Sequence, residues 1–145
     1  MKKFPNLKKI NQKIREFKDS LKSFKMKINE IFQDFVKNEF TIGIWGAGCT
    51  TINIFSFLKD LKYEKIYIYD SSETKIGNYL PGLGKKIKHP NEIKENNPDV
   101  ILIMSERYVD EIYEKLLEMN YSKDIWRIYP TMEKLNNKTE LKLSL

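Results

Sequence analysis

Apolar residues recur every three or four positions through the first third of the chain, and this spacing predicts one long helix over residues 4–37. Asn6, which follows Pro5, is placed to cap its start. At 1.5 Å per residue the helix spans ~45 Å. A domain of ~100 residues is only about 25–30 Å wide, so we expect part of the helix to extend beyond it. The apolar positions form a heptad seam of Leu7, Ile10, Ile14, Phe17, Leu21, Phe24, Ile28, Ile31 and Phe35.

The next stretch reads as a strand, a glycine turn and a second helix. An apolar run ends at Trp45, Gly46-Ala47-Gly48 follows, and then come apolar residues at helical spacing. We predict a strand at 40–45 and a helix at 49–61. Strand, glycine turn and helix form the first unit of nucleotide-binding α/β folds. Glycine lets the backbone turn sharply and brings a pyrophosphate close to the N–H groups at the helix N-terminus.

Strands and helices alternate along the rest of the chain. Strands are predicted at 65–70, 98–104 and 125–129, a short edge strand at Ile87, a short helix after Pro90, a longer helix at 106–119, and a glycine-rich loop between 71 and 86. Alternation of this kind predicts a parallel sheet with helical crossovers. The fold class is therefore α/β: a Rossmann-like parallel sheet flanked by helices and preceded by a long amphipathic helix.

The length of 145 residues suits one domain. We divide it into a helical arm at 1–39, a Rossmann-like domain at 40–130, and a short helix and tail at 131–145. The chain is too short for a complete dehydrogenase or methyltransferase with its own substrate domain. It has no run of 18 apolar residues, no apolar signal core and a single cysteine. We expect a cytoplasmic protein without a membrane span or an internal disulfide.

The positive charge lies in the helical arm. Residues 1–40 hold 11 basic and 5 acidic residues, whereas residues 41–145 hold 15 of each. A basic arm of this kind suits nucleic acid, an anionic membrane surface or an acidic partner. Aromatic residues are not interleaved on the charged face, so we interpret it as a solvated helix face and expect no nucleic-acid partner.

Ligands of open parallel sheets bind beyond the carboxyl ends of the strands. Three segments converge there, after the first, second and fourth predicted strands. The candidate binding residues are Gly46, Ala47, Gly48, Cys49, Thr50, Asp70, Ser71, Ser105 and Glu106. Ser105 is also expected to cap the helix that follows it.

The nucleotide fingerprint is incomplete. Its third glycine would fall at Thr51. Asp70 lies 24 residues after Gly46, close to the spacing of about 20 residues at which a carboxylate binds a ribose hydroxyl in such folds. The alternative is a glycine turn that only lets the helix pack closely on the strand. Cys49 is either a reactive thiol or a small packing residue.

No catalytic constellation is evident in the sequence. We interpret the single histidine, His89, as a surface or hydrogen-bonding residue. Tyr67 and Tyr69 alternate with Ile66 and Ile68, which indicates packing within a strand.

An ordered set of motifs resembles the C-terminal domain of the sugar C-methyltransferases, which act on nucleotide-linked keto-deoxysugars. The resemblance runs from about Phe17 to Tyr129. It implies a Rossmann-like domain that sits against the methyltransferase domain and helps to enclose the nucleotide-sugar without binding S-adenosylmethionine. The motifs are Ile44-Trp45-Gly46-Ala47-Gly48, Asp70, Gly77-Asn78-Tyr79-Leu80-Pro81-Gly82, Pro90-Asn91-Glu92-Ile93, Pro98-Asp99-Val100-Ile101-Leu102-Ile103 and Tyr108-Val109-Asp110-Glu111-Ile112.

The sequence also departs from that family. The zinc-binding module and the methyltransferase domain are absent from these 145 residues, and Cys49-Thr50 replaces a turn that usually contains lysine or glycine. The pattern implies a free-standing accessory domain that is not catalytic alone. If it is enzymatic, it is part of a methyltransferase system.

Three hypotheses follow, in order of preference. The first is an accessory domain that binds a nucleotide-sugar in surface-glycan or deoxysugar biosynthesis, beside a separate methyltransferase or transferase. The second is a structural module without a ligand that forms homo-oligomers through residues 7–35. The third is a small redox or sensor domain that binds NAD(P), which rests on the glycine turn and Asp70 alone.

Overall fold

The computed structural model describes residues 6–58 and 63–136. The first element that it describes is a long helix. Helix α1 runs over Leu7–Lys37. Asn6 caps it as predicted, because its side-chain Oδ1 accepts a hydrogen bond from the backbone N–H of Lys8 at 2.9 Å.

Six strands in the described residues form one sheet in the order β3-β2-β1-β4-β5-β6. All neighbours are parallel except the last pair, β5 and β6, which is antiparallel. The structure therefore confirms the α/β class, with an antiparallel edge added to the predicted parallel sheet. The strands are β1 Ile42–Trp45, β2 Ile66–Tyr69, β3 Ile87–Lys88, β4 Val100–Ile103, β5 Asp124–Arg127 and β6 Glu133–Lys134.

Helices cover both faces of this sheet. Besides α1, they are α2 Cys49–Phe57, α3 Ile93–Asn96 after a 3-10 turn at Pro90–Glu92, and α4 Val109–Glu118. One buried cluster joins α1 and α2 to the sheet, and a second joins α4 to the opposite face. Every residue of the central strands β1 and β4 is buried, as expected for parallel strands covered on both sides.

Helix α1 is packed in its second half and exposed in its first. Ile28 and Phe32 are fully buried, and the Phe32 ring lies edge-on to Phe55 at 5.7 Å. In contrast, 74% of Leu7 and 69% of Phe17 are exposed. The helix extends beyond the sheet, as its length predicts. Phe32 lies outside the heptad seam. The side of α1 that packs on the sheet and α2 is therefore not identified by the seam alone.

The described residues after β5 add an edge strand to the sheet. A short helix and a tail were predicted over 131–145, and within the described residues 131–136 the pair Glu133–Lys134 forms β6. The side chain of Asn136 explains this, since it accepts from the Ile125 N–H at 2.7 Å and donates to the Lys123 carbonyl at 2.9 Å. These bonds hold the segment against the open edge of β5. Residues 137–145 lie outside the described part of the chain.

Two helices are shorter than predicted. Helix α2 ends at Phe57, with Leu58 at its C-cap, and residues 59–62 are not described. Helix α4 begins only at Val109, with Tyr108 at its N-cap, so the expectation that Ser105 caps it was wrong. No helix within residues 6–58 and 63–136 is both long and apolar enough to cross a membrane.

Candidate functional site

A cleft of about 1010 Å³ lies beyond the carboxyl ends of the central strands. Ligand sites are commonly 300–1,000 Å³, so it is at the upper end of that range. All the candidate residues except Ala47 line it. The lining candidates are Gly46, Gly48, Cys49, Thr50, Asp70, Ser71, Ser105 and Glu106. The structure thus brings together the three segments that the sequence placed at this edge, while Ala47 is buried beneath it.

The glycine turn has two glycines with different roles. Gly46 has a positive φ of 122°, which side chains rarely adopt, and a Cβ there would lie 3.3 Å from the backbone carbon of Met104. The conformation therefore requires glycine. Gly48 has an extended φ of −115°, and a Cβ there would meet no atom within 4 Å. The space before Gly48 is open, and it belongs to the cleft.

Helix α2 begins at this turn without a side-chain cap. Its N-cap is Gly48, no side chain bonds to its first amides, and its first turn holds no acidic residue. The first N–H groups of a helix have no partner within the helix, and the helix dipole favours an anion there. Since Cys49 and Thr50 line the cleft, these amides are placed where a phosphate would lie.

Thr51 occupies the position of the missing third glycine without closing the cleft. It is fully buried, and its hydroxyl donates a hydrogen bond to the carbonyl of Gly46. Thr51 is not among the residues that line the cleft. The departure from the fingerprint therefore leaves the candidate phosphate position unobstructed.

Asp70 fixes the shape of the cleft floor. Its Oδ2 accepts from the N–H of Ala47 at 2.8 Å, and its Oδ1 accepts from the N–H of Ser72 at 2.8 Å. The Lys75 ammonium lies 3.4 Å from Oδ2. Each carboxylate oxygen thus already holds a backbone amide. A carboxylate can accept about four hydrogen bonds, so capacity for a ligand hydroxyl remains.

Three cations and three anions line the cleft: Lys75, Arg107 and Lys115, and Asp70, Glu106 and Glu111. Lys75 pairs with Asp70, and Lys115 pairs with Glu111 at 2.8 Å. Among the described residues, Arg107 and Glu106 have no ionic partner. Arg107 is exposed beside the cleft, so its charge is available to an anionic ligand.

Helix α4 contributes a wall of the cleft that was not predicted from the sequence. Tyr108, Glu111, Ile112 and Lys115 line the cleft on that side, and Lys75 reaches it from the loop after β2. Their spacing is a usable signal, because residues three and four apart share one face of a helix. Tyr108 is 53% exposed and stands at the cleft with part of its ring uncovered.

Other chemically active side chains have packing or capping roles. His89 is exposed, and its Nδ1 accepts from the Asn91 N–H at 3.1 Å, which confirms a hydrogen-bonding role. Tyr69 is fully buried, its hydroxyl donates to Asn96 at 2.9 Å, and burial raises the pKa of its phenol. Within residues 6–58 and 63–136, no three His, Cys, Asp or Glu side chains cluster as metal ligands would.

The sheet order and the position of the cleft define a Rossmann-like domain. The chain belongs to the C-methyltransferase C-terminal domain family, whose model matches residues 6–128. This confirms the resemblance drawn from the motifs.

Among solved structures, UDP-D-quinovosamine 4-dehydrogenase from Vibrio fischeri is similar, with a TM-score of 0.47 and 19% sequence identity. The match covers 70% of this chain and 84% of that one. No curated protein matches the chain in sequence.

Proposed function

We propose that the domain binds a nucleotide-sugar in the cleft and acts beside a separate methyltransferase or transferase of surface-glycan or deoxysugar biosynthesis. The observation that carries this proposal is the uncapped start of α2, where Gly48 opens into a cleft of about 1010 Å³. Residues 40–130 form the ligand-binding unit in this proposal, and residues 1–39 form its arm. The protein acts in the cytoplasm.

The diphosphate is the part of the ligand that this cleft suits best. Gly48, Cys49 and Thr50 line the cleft at the start of α2, where the helix dipole favours a phosphate. Arg107 lines the cleft from the loop after β4 and has no ionic partner in the described chain. A guanidinium can bind phosphate oxygens in pairs, so Arg107 supplies the charge that α2 lacks.

The remaining lining groups suit the two ends of the same ligand. Asp70 and Ser71 offer acceptors and a hydroxyl at the end of β2, and Ser105 and Glu106 offer the same chemistry after β4. Sugar and ribose hydroxyls require partners of this kind. The uncovered ring of Tyr108 presents a surface on which a base can stack.

The proposed role is accessory. Methyl transfer is assigned to the partner, because the matching family is named for the C-terminal domain of C-methyltransferases and the described residues form one Rossmann-like domain. The cleft holds and presents the nucleotide-sugar, while the partner supplies the reacting group.

NAD(P) is the second candidate, since the glycine turn and Asp70 stand in the positions that a dinucleotide uses. It ranks lower because the family model that matches residues 6–128 is named for C-methyltransferases, whereas only the glycine turn and Asp70 favour a dinucleotide.

A ligand screen by thermal unfolding tests the proposal. The purified protein is heated with UDP-, GDP-, CDP- and dTDP-sugars, NAD(P) and S-adenosylmethionine. A ligand at a hundred times its Kd adds about 2.7 kcal/mol, which raises Tm by several degrees. A rise with one class of nucleotide-sugar supports the proposal and identifies the nucleotide. A rise with NAD(P) alone supports the second candidate, and no rise with any compound contradicts both.

A further inference from the structure

The first half of α1 presents an apolar stripe that no described residue covers. We call residues 7–23 the overhang; it is about 25 Å long at 1.5 Å per residue. None of its residues is buried, and 69% of Phe17 and 45% of Ile14 are exposed. Contiguous exposed apolar residues of this kind mark an interaction surface. The family model begins at residue 6, so the overhang is part of the family's domain.

The stripe is narrow and is flanked by lysines. Its apolar positions keep the heptad spacing, so the two rows beside the seam contain Asn11 and Lys18 on one side and Lys13 and Ser20 on the other. Neither row of the overhang has an acidic residue. The two acidic residues of the overhang, Glu16 and Asp19, fall in the heptad away from the seam, and Glu16 accepts from the amide of Gln12 at 3.0 Å.

These flanks oppose pairing with a second copy. In a parallel pair, Lys13 of one helix would face Lys18 of the other on both sides of the seam. In an antiparallel pair, each flanking row faces the same row of the other helix. Lysine then faces either lysine or a neutral residue. Like charges beside a seam destabilise pairing. Residues 137–145 contain two lysines and one glutamate. They therefore do not supply the excess of acidic residues that would pair with the lysines of the overhang.

We infer that the overhang docks an acidic amphipathic helix of another protein. The occupant has apolar residues at heptad spacing to pack on Ile14, Phe17 and Leu21, and glutamates or aspartates beside them to meet Lys13 and Lys18. Helical partners are selected by charges in these flanking rows. The surface thus distinguishes a partner protein from a second copy of this chain.

A membrane surface suits the geometry less well. Helices that lie on membranes have a wide apolar face and respond to total positive charge. The overhang instead has a narrow apolar stripe, with residues alternately three and four positions apart, which fits one facing helix. Charge position, not only charge amount, therefore separates the two occupants.

The test uses the full chain and two synthetic helical peptides. Both peptides have leucine at the seam positions, and they carry either glutamate or lysine in the flanking rows. Fluorescence anisotropy at low salt measures their binding. We expect the glutamate peptide to bind roughly ten-fold more tightly or better. The double variant Lys13→Glu/Lys18→Glu should reverse that preference.

A matched control keeps the charge change and moves it off the flanks. Lys8→Glu/Lys22→Glu alters net charge equally, but both residues lie behind the seam. It should keep the preference of the wild type for the glutamate peptide. All four lysines are exposed, so circular dichroism should show unchanged helix content in both variants.

Three results would overturn the inference. One is equal binding of both peptides. Another is a wild-type dimer in sedimentation that Phe17→Ser dissociates, which would place a second copy on the seam. The last is binding to phosphatidylserine vesicles that both double variants weaken equally, since a membrane would respond to the amount of charge.

Discussion

The carboxylate of Asp70 lies 2.8 Å from the backbone N–H of Ala47 and accepts a hydrogen bond from it. This bond joins the end of β2 to the glycine turn after β1. The other oxygen accepts from the Ser72 N–H at 2.8 Å. One side chain therefore fixes two of the segments that line the cleft, and its loss should affect both stability and ligand binding.

Replacement of Asp70 by alanine leaves these two amides without their charged acceptor. Hydrogen bonds to charged groups contribute about 1.5–3 kcal/mol, and we expect the free energy of unfolding in urea to fall by about that amount. The matched control is Glu73→Ala in the same loop, where the side chain is exposed; we expect a change within about 0.5 kcal/mol. Unchanged stability of the Asp70 variant together with lost binding would instead assign the carboxylate mainly to the ligand.

Gly48→Val should fold normally and lose the ligand proposed for the cleft. A Cβ at Gly48 meets no atom within 4 Å, and the extended backbone accepts a β-branched residue. The new side chain would fill the space in front of the first amides of α2. Calorimetric titration with the ligand found in the thermal screen should detect no binding, while the unliganded Tm stays near that of the wild type.

Gly46→Val is the companion substitution, and here we expect lost stability. A valine at a φ of 122° is strained, which costs roughly 1–3 kcal/mol, and its Cβ would press on the backbone of Met104. Preserved binding in Gly48→Val would show that the ligand lies elsewhere. Normal stability in Gly46→Val would contradict the described turn.

Asp99 should make stability depend on pH below about 4. Its Oδ2 accepts from the Thr41 N–H at 2.8 Å, and this bond, helped by Lys123, lowers the pKa of the carboxyl below its usual value. The unfolded chain titrates near a pKa of about 3.9. The stabilisation is therefore present above that pH and disappears as the pH falls through the lower pKa of the folded state.

Urea unfolding of the wild type and of Asp99→Asn across acidic pH measures this effect. The variant should be the less stable protein at neutral pH, and the difference should shrink as the pH falls below about 4. Asp19→Asn, at an exposed position, should show no such convergence. A difference in stability that stays constant down to the lowest pH would show that ionisation of the Asp99 carboxyl is not its cause.

The sequence was sufficient to predict the sheet and the edge at which the cleft lies. Apolar runs such as 98–104 are local signals, and the alternation of strands with helices restricts their arrangement. The cleft residues follow from that arrangement, because the carboxyl ends of parallel strands meet at one edge. For this reason Gly48, Asp70 and Ser105 could be placed together from sequence alone.

Features that depend on long-range partners could not be predicted in this way. Strand β6 is held by bonds from Asn136 to residues more than ten positions away, which no local pattern shows. Thr51 stands at the position of the third glycine, and its buried hydroxyl donates a hydrogen bond to the Gly46 carbonyl. Ser105 looked like a cap, but α4 starts later, at Val109.

Two phenylalanines on α1 provide the last prediction. Phe32 is fully buried, with its ring 5.7 Å from that of Phe55 and 6.2 Å from that of Phe35. Phe32→Ala should lower the free energy of unfolding by about 3–5 kcal/mol, because it leaves a cavity between helix and sheet. Phe17 is 69% exposed, so Phe17→Ala should change the free energy of unfolding by less than about 0.5 kcal/mol.

Urea unfolding at two protein concentrations checks both values and separates their causes. If the overhang is free in the isolated protein, Phe17→Ala has no effect at either concentration. If a second copy covers it, the wild type gains stability as concentration rises, and Phe17→Ala removes that gain. A loss from Phe17→Ala that is independent of concentration would mean that the overhang packs within its own chain, and the surface proposed for an acidic helix would then be occupied.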